Sequence, residues 1–297
     1  MPRELSRLQL IERSITKKYR KELWSPFITA IRQYELLSPG DRVAVCISGG
    51  KDSMLMAKLF QMLQRVSDFP FELVFLSMDP GYNEENRRKV AENAALLGIP
   101  LTVFETDIFS VTATAGGSPC YLCARMRRGH LYSKARELGC NKIALGHHFN
   151  DVIETTLMSL LYGSQLQGMI PKLKSKNFPG MELIRPLYRV READILAWKR
   201  YNGLEFIRCA CRFTENCDSC AEDEDSGSKR LAVKKLIARL KAEDPVVDVS
   251  IFNAVHNVFL DTFPGYKSDG AEHSFLERYG ETRKDTTERE EPAVMED

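Results

Sequence analysis

The chain contains no run approaching the roughly 20 consecutive apolar residues that a bilayer crossing requires, and its basic, polar start lacks the apolar core of a signal peptide. Both absences predict a cytoplasmic protein with no membrane association. It also lacks an excess of either charge: 42 Lys and Arg stand against 41 Asp and Glu, a net of +1. Any nucleic-acid contact must therefore come from a local cluster of basic residues rather than the overall field. No internal repeat is present, which excludes a solenoid. Cysteine is not scarce. The eight cysteines, several spaced as Cys-x-x-Cys or Cys-x-Cys in a chain without an export signal, point to metal or redox chemistry rather than a disulfide framework. With 297 residues, 43% of them hydrophobic and 28% charged, the chain can bury a substantial core.

The hydrophobic pattern alternates between two periods. Residues 1–37 place Leu5, Leu8, Ile11, Ile15, Ile28 and Ile31 at helical spacing with Arg and Lys between them, and Ser38-Pro39-Gly40-Asp41 ends that segment as a turn. Val43-Ala44-Val45-Cys46-Ile47 is a short apolar run of the kind found in a strand buried on both faces. Helical periodicity over 53–66, a strand over 71–78, a helix over 84–97 and a strand over 101–105 follow. A helix over 123–138, a strand over 142–145 and a helix over 151–162 continue the alternation, which predicts an α/β fold with a doubly wound parallel sheet. Ligands then belong at the carboxyl ends of the strands. Further on, the pattern predicts helices near 192–201, 229–241 and 249–259.

The most informative segment is Ser48-Gly49-Gly50-Lys51-Asp52-Ser53, set between the first buried strand and a helix. Two adjacent glycines let backbone approach an anion closely, and the helix N-terminus offers unpaired N–H donors, so phosphate is the expected occupant. This is not a Walker loop: no Ser or Thr follows the lysine, and the upstream glycine at the required spacing is absent. Asp52 takes the hydroxyl's place. A carboxylate there suits a role in holding Mg²⁺ while Lys51 neutralises the triphosphate and Ser48 and Ser53 donate hydrogen bonds.

This hexapeptide resembles the loop of the PP-loop ATP pyrophosphatase superfamily, whose members release pyrophosphate and pass through an adenylated substrate. Other segments narrow the likeness: Cys120 to Gly129, Ala144 to His148, Leu161 to Gly163, Gly168 to Lys172 and Ile184 to Leu187 look like the TtcA family of tRNA 2-thiocytidine synthases. The resemblance spans roughly residues 40–260. It implies ATP-dependent replacement of the C2 oxygen of an anticodon-loop cytidine by sulfur, with Mg²⁺ and a 4Fe-4S cluster as cofactors and tRNA as partner. It also implies a homodimer, and a sulfur donor that is sulfide or a cysteine desulfurase. On this reading, residues 1–37 form a helical, basic segment and 38–205 the PP-loop domain, adenine nucleotide alpha hydrolase-like. Residues 206–265 form a Cys-rich and helical region, and 266–297 a polar, flexible tail.

By the same resemblance, Gly146, His147 and Asp151 lie across from the loop, and Lys51, Asp52 and Asp151 carry the catalytic roles. Asn150 stands where the family has an acid; an amide oxygen can ligate Mg²⁺ but supplies no charge. Asp79, at the end of the second predicted strand, is either a nucleotide contact or a solvated loop acid. Cys120 and Cys123 supply a thiolate pair, and the family's third cluster ligand falls on Cys211, with Cys209 as the other choice. Read alone, Cys209, Cys211, Cys217 and Cys220 also suit a four-thiolate zinc site. Cys46 and Cys140 read as buried small hydrophobes. Seven Lys and Arg between Arg3 and Lys21, together with Arg125, Arg127 and Arg128, are candidate RNA contacts. Residues 162–174 read as a loop that admits the base. Two other functions fit parts of the pattern: a PP-loop ligase delivering ammonia or an amine, against which the Cys120/Cys123 pair argues, and a nucleotide-binding iron-sulfur or zinc sensor without chemistry.

Overall fold

The computed structural model describes residues 4–108, 119–207 and 229–279, with side chains described from 125 onward in the helix that begins at 119. Two compact units divide the chain, residues 1–252 and 253–297.

In the larger unit, β1 (Arg42–Ile47), β2 (Glu72–Asp79), β3 (Leu101–Glu105), β4 (Lys142–Ala144), β5 (Lys172–Lys174) and β6 (Glu182–Ile184) form one sheet in the order β3-β2-β1-β4-β6-β5. Every neighbouring pair is parallel except β5 with β6. The helices between them are α3 (Lys51–Gln64), α4 (Glu84–Leu96), α5 (Pro119–Glu137), α6 (Phe149–Gly163) and α7 (Glu192–Tyr201). The doubly wound sheet expected from the sequence is present, with β5 as an antiparallel edge strand. Because the strand order reverses between β1 and β4, a crevice opens at their carboxyl ends, where ligands of such sheets bind.

Both faces of the sheet are covered, which explains the unbroken apolar run of β1. Val43, Val45 and Ile47 face one core with Met54, Phe60, Ile195 and Trp198. Ala44 and Cys46 face another with Leu76, Tyr132, Ile143 and Leu183. Cys46 and Cys140 are buried free thiols, as expected, and burial pushes the Cys46 pKa up to about 12.

The N-terminal segment packs against the first core through Ile11, Ile15, Leu23 and Phe27. It runs as α1 (Arg7–Arg13), two π-helical turns at Ser14–Lys18 and Arg20–Trp24, and α2 (Ser25–Gln33). Its acids dock it: Glu12 lies 3.1 Å from Lys58 of α3, itself 2% exposed, and 2.8 Å from Arg65. At the C-terminal side, α8 (Lys229–Glu243) and α9 (Val247–Ala254) are anchored by Asp248, which accepts from Lys241 at 2.6 Å and from Arg191, while Phe252 stacks on Phe149 at 4.7 Å.

The second unit has elements of its own, some within the segment from 266 expected as a polar, flexible tail. β7 (Gly265–Ser268) and β8 (Ala271–Ser274) pair as a hairpin whose turn residues, Asp269 and Gly270, both have positive φ, followed by α10 (Leu276–Tyr279). Asp-Gly is the turn dipeptide such two-residue hairpins favour.

A buried ion pair ties the amino ends of the strands to the N-terminal segment. Lys142 Nζ lies 2.8 Å from Asp41 Oδ2 and donates to the Leu36 carbonyl at 3.0 Å; Asp41 also accepts from Ser38 N and Asn141 Nδ2. Burial tends to raise the Asp41 pKa, but the bonds from Lys142, Asn141 and Ser38 outweigh it and hold the carboxyl below its usual range. Its stabilisation is complete above the unfolded-state carboxyl pKa and is lost as pH falls through the folded-state value. Lys142→Ala, which strands a buried carboxylate, is expected to cost about 3–5 kcal/mol in urea unfolding at pH 7. The same titration repeated below pH 4 is expected to narrow the gap between variant and parent.

Candidate active site

The loop expected to hold phosphate leaves β1 and enters α3 at the switch point. Gly49 adopts φ +81°, and a Cβ there would overlap Val90 Cγ2 at 2.5 Å and Ile207 Cδ1 at 2.7 Å, so only glycine fits. Gly50 is the N-cap of α3 and provides no side chain to bond the first turn, leaving its N–H groups available to an anion. Ser53 Oγ links the two ends of the loop: it accepts from Ser48 N at 3.2 Å and donates to Gly50 O at 3.0 Å. Ser48 Oγ lies 3.2 Å from the same oxygen.

Gly146 follows β4 and lies against this first turn. A Cβ on it would stand 3.2 Å from Ser53 N and 3.3 Å from the Asp52 carbonyl carbon. The two strand ends therefore meet at backbone contact.

Lys51 Nζ bonds Asp52 Oδ2 at 3.1 Å and Glu192 Oε1 at 2.9 Å. Burial pulls its pKa down, but the two carboxylates more than offset this and hold it charged. Glu192 feels the reverse: burial favours its neutral form, yet Lys51 and Lys234 bring its pKa down to about 2. Asn150, standing where the family carries an acid, accepts the Glu192 backbone N–H at 2.9 Å. It fixes the start of α7 and with it the second partner of Lys51.

Asp151 Oδ2 accepts from His148 N at 2.9 Å, and its Oδ1 accepts from Arg230 Nη2 at 2.8 Å. Arg230 Nε also reaches Glu154 Oε2 at 2.8 Å. Burial would raise the Asp151 pKa; His148, Arg230 and His147 outweigh it. The His148 ring lies between acids, Nδ1 3.3 Å from Asp151 and Nε2 3.9 Å from both Asp52 and Glu192. His147 is kept neutral: burial, aided by Arg185, Arg230 and His148 against the pull of Asp151, lowers its pKa to about 4, and its Nδ1 has no partner among the described residues.

Asp79 is buried at the end of β2. Its Oδ1 accepts from Gly81 N and Tyr82 N at 2.8 and 2.7 Å, and Oδ2 lies 2.5 Å from Arg87 Nε. It is not a solvated loop acid. Both oxygens shape the turn that brings the Tyr82 hydroxyl to the Ser48 carbonyl at 3.4 Å. Glu192 and Arg230 were not among the residues expected at the site, hinted at only by the predicted helix starting at Glu192 and the basic character of α8. His148 and Arg185 lay within the segments Ala144 to His148 and Ile184 to Leu187 that carry the resemblance, without an assigned role.

The donor set fits Mg²⁺ in part. Asp52 Oδ1 is buried without a hydrogen-bond partner and suits a cation shared with nucleotide phosphates, the usual Mg²⁺ arrangement. Both oxygens of Asp151 are already engaged, and no three His, Cys, Asp or Glu side chains cluster as a metal site among the described residues. Cys120 and Cys123 lie three apart in the first turn of α5. Cys209, Cys211, Cys217 and Cys220 lie outside the described residues, and so does residue 208–228 as a whole.

Between these elements is a cavity of about 560 Å³, whose lining includes Ser48, Asp52, Ser53 and Gly146 together with Arg127, Arg128 and Arg185. Among the described residues no helix is long and apolar enough to cross a membrane.

A glycine loop on a helix N-terminus at the switch point of a parallel sheet, with a lysine held by flanking carboxylates, defines a PP-loop ATP-binding protein. The family model of the PP-loop domain matches residues 17–211. Curated relatives include the tRNA-cytidine(32) 2-sulfurtransferase of Anaeromyxobacter dehalogenans, 38% identical over 77% of this chain and 76% of that one. That of Cellvibrio japonicus is 37% identical over 81% and 77%. Among solved structures, the U34-tRNA thiolase NcsA of Methanococcus maripaludis, determined with its [4Fe-4S] cluster, superposes with a TM-score of 0.63 at 22% identity, covering 80% of this chain and 78% of that one. The chain belongs to the PP-loop family of tRNA-cytidine 2-sulfurtransferases.

Gly146→Ala is expected to force the β4 end away from α3, costing about 1–3 kcal/mol of stability. It is also expected to weaken ATP binding in calorimetry at least tenfold. An ATP affinity unchanged from the parent would refute the closeness argued here.

Proposed function

We propose that this protein is an ATP-dependent tRNA sulfurtransferase that adenylates the C2 oxygen of an anticodon-loop cytidine and replaces it with sulfur. The observation that carries the reading is the shared cavity: its lining joins the phosphate-binding loop to Arg127 and Arg128 of α5, the helix whose first turn holds Cys120 and Cys123. This supports a nucleotide and an RNA substrate meeting at one site on the cysteine-bearing helix.

A carbonyl oxygen is a poor leaving group. Attack of the cytidine oxygen on the α-phosphorus expels pyrophosphate and converts that oxygen into part of an adenylate; a sulfur nucleophile then adds to the base carbon and AMP departs with the oxygen. The protein's share is positioning and charge. The α3 N-terminus and the Ser48 and Ser53 hydroxyls hold the pyrophosphate portion, and Lys51 neutralises it, released from or shared with Glu192. Asp52 would hold Mg²⁺, which would supply positive charge to the phosphate oxygens. Arg230 must give up Asp151 if that carboxylate also joins the ion. His147, neutral with an unpartnered Nδ1, offers a hydrogen bond to substrate in the cavity. A 4Fe-4S cluster held by Cys120, Cys123 and Cys211 would supply a site at which sulfide is bound and presented.

On this reading sulfide or a cysteine desulfurase is the sulfur source, the working form is a homodimer, and the compartment is the cytoplasm. Residues 38–205 act as the catalytic domain, 1–37 as a helical, basic segment, 206–265 as the Cys-rich and helical region, and 266–297 as an appendage.

Mass spectrometry of tRNA nucleosides from cells with and without the gene tests the substrate. Loss of 2-thiocytidine, restored by the parent gene but not by Lys51→Ala, is the expected result. An unchanged nucleoside profile overturns the assignment.

A further inference from the structure

The phosphate-binding loop accounts for one anion, the triphosphate. The cavity is also lined by three guanidinium groups that the nucleotide reading leaves without a task. Arg127 and Arg128 come from α5 and Arg185 follows β6. Among the described residues no carboxylate forms an ion pair with any of them, and Asp52, paired with Lys51, is the one acid lining the cavity. Arg185 is the most constrained. Its Nη1 donates to the Ile170 carbonyl, which fixes the plane of the guanidinium, and its Nε is buried with no partner. Leaving a buried cationic donor unpaired is costly, so such an edge is normally matched by an anion or an acceptor.

The free edge of an arginine, Nε with Nη2, fits the two oxygens of a phosphate side-on. Lys51 and the α3 N-terminus already serve the triphosphate, and these arginines come from other elements, α5 and the segment after β6, so this is a second anion site. Its surroundings are apolar: Leu131, Leu145, Met169 and Leu183 line the same space. A phosphate attached to a flat, partly apolar group matches that lining, which is a nucleotide within an RNA strand.

We propose that Arg185, with Arg127 and Arg128 beside it, forms an anion subsite that takes a backbone phosphate next to the target nucleotide and so sets the base against the α-phosphorus of ATP. The inference rests on the tRNA reading above and adds to it the residues that grip the RNA.

The test uses the full-length protein purified anaerobically, with two probes. Binding of an anticodon stem-loop RNA is followed by fluorescence anisotropy between 50 and 200 mM salt, and binding of α,β-methylene-ATP by calorimetry. R185Q is expected to weaken RNA binding about 10- to 100-fold, as loss of a charged bidentate bond would. It should also reduce the slope of log affinity against log salt by about 0.7 for a single-stranded contact, with affinity for the ATP analogue within twofold of the parent. R185K should restore the slope, because it keeps the charge, but only part of the affinity, because it lacks the fork.

Because Arg185 also braces Ile170, R128Q, whose side chain is exposed, is measured alongside. Should R185Q not fold, a weaker RNA affinity and shallower salt slope in R128Q sustain the proposal, and parental values overturn it. A loss of ATP-analogue affinity in place of RNA affinity overturns it in favour of the triphosphate as the anion. Unchanged binding of both probes by folded R185Q also overturns it. A parent protein that binds no RNA sinks the functional reading itself, whereas a parent that binds RNA as tightly as R185Q sinks only the subsite.

Discussion

The backbone contact between Gly146 and the first turn of α3 is the constraint on which the site depends. It exists because the strand order reverses at β1 and β4, so the two carboxyl ends face one crevice with no strand or helix between them. A side chain at 146 would stand 3.2 Å from Ser53 N and push the loop out of line with the cavity. Everything that follows Gly146 along the chain inherits its position: His147 lining the cavity, His148 capping α6, and Asp151 three residues on, accepting the His148 backbone N–H.

Around that contact, the charges are arranged so that the site is stable before substrate arrives. Lys51 is divided between Asp52 and Glu192, and Arg230 bonds Asp151 and Glu154, with Lys234 lying 3.3 Å from Glu192. Each of these cations is partly desolvated and would be destabilising alone; each carboxylate relieves that cost. Binding of a nucleotide with Mg²⁺ is then an exchange of partners rather than the creation of charge in a dry crevice. Triphosphate would take the place of carboxylates at Lys51, and the unpartnered oxygen of Asp52 would hold the metal ion. This exchange couples α7 and α8, which carry Glu192 and Arg230, to the occupancy of the loop.

Much of the fold was legible in the sequence because its signals are local. The two-faced burial of β1 produces an unbroken apolar run, and the glycine pair between that run and a helical period is readable without any partner strand. The hexapeptide also led to the family, which placed Gly146, His147 and Asp151. What was not legible depends on contacts distant in sequence. Glu192 is an ordinary acid in a first helical turn until Lys51, 141 residues away, reaches it. Asn150 looks like a lost ligand until its oxygen is seen on the Glu192 amide. The short strands β5 and β6, three residues each, have too little pattern to register. The Asp269-Gly270 hairpin did carry a local signal, masked by the polar composition around it.

The central claim is that the oxygen of the target base, and no other atom, attacks the α-phosphorus of ATP at this loop. It is tested most directly by supplying tRNA whose target cytidine carries ¹⁸O at C2, with ATP, Mg²⁺ and sulfide, to the anaerobic protein and weighing the products. The account predicts AMP containing one ¹⁸O and unlabelled pyrophosphate. Label in the pyrophosphate or released into water, with unlabelled AMP, would contradict it.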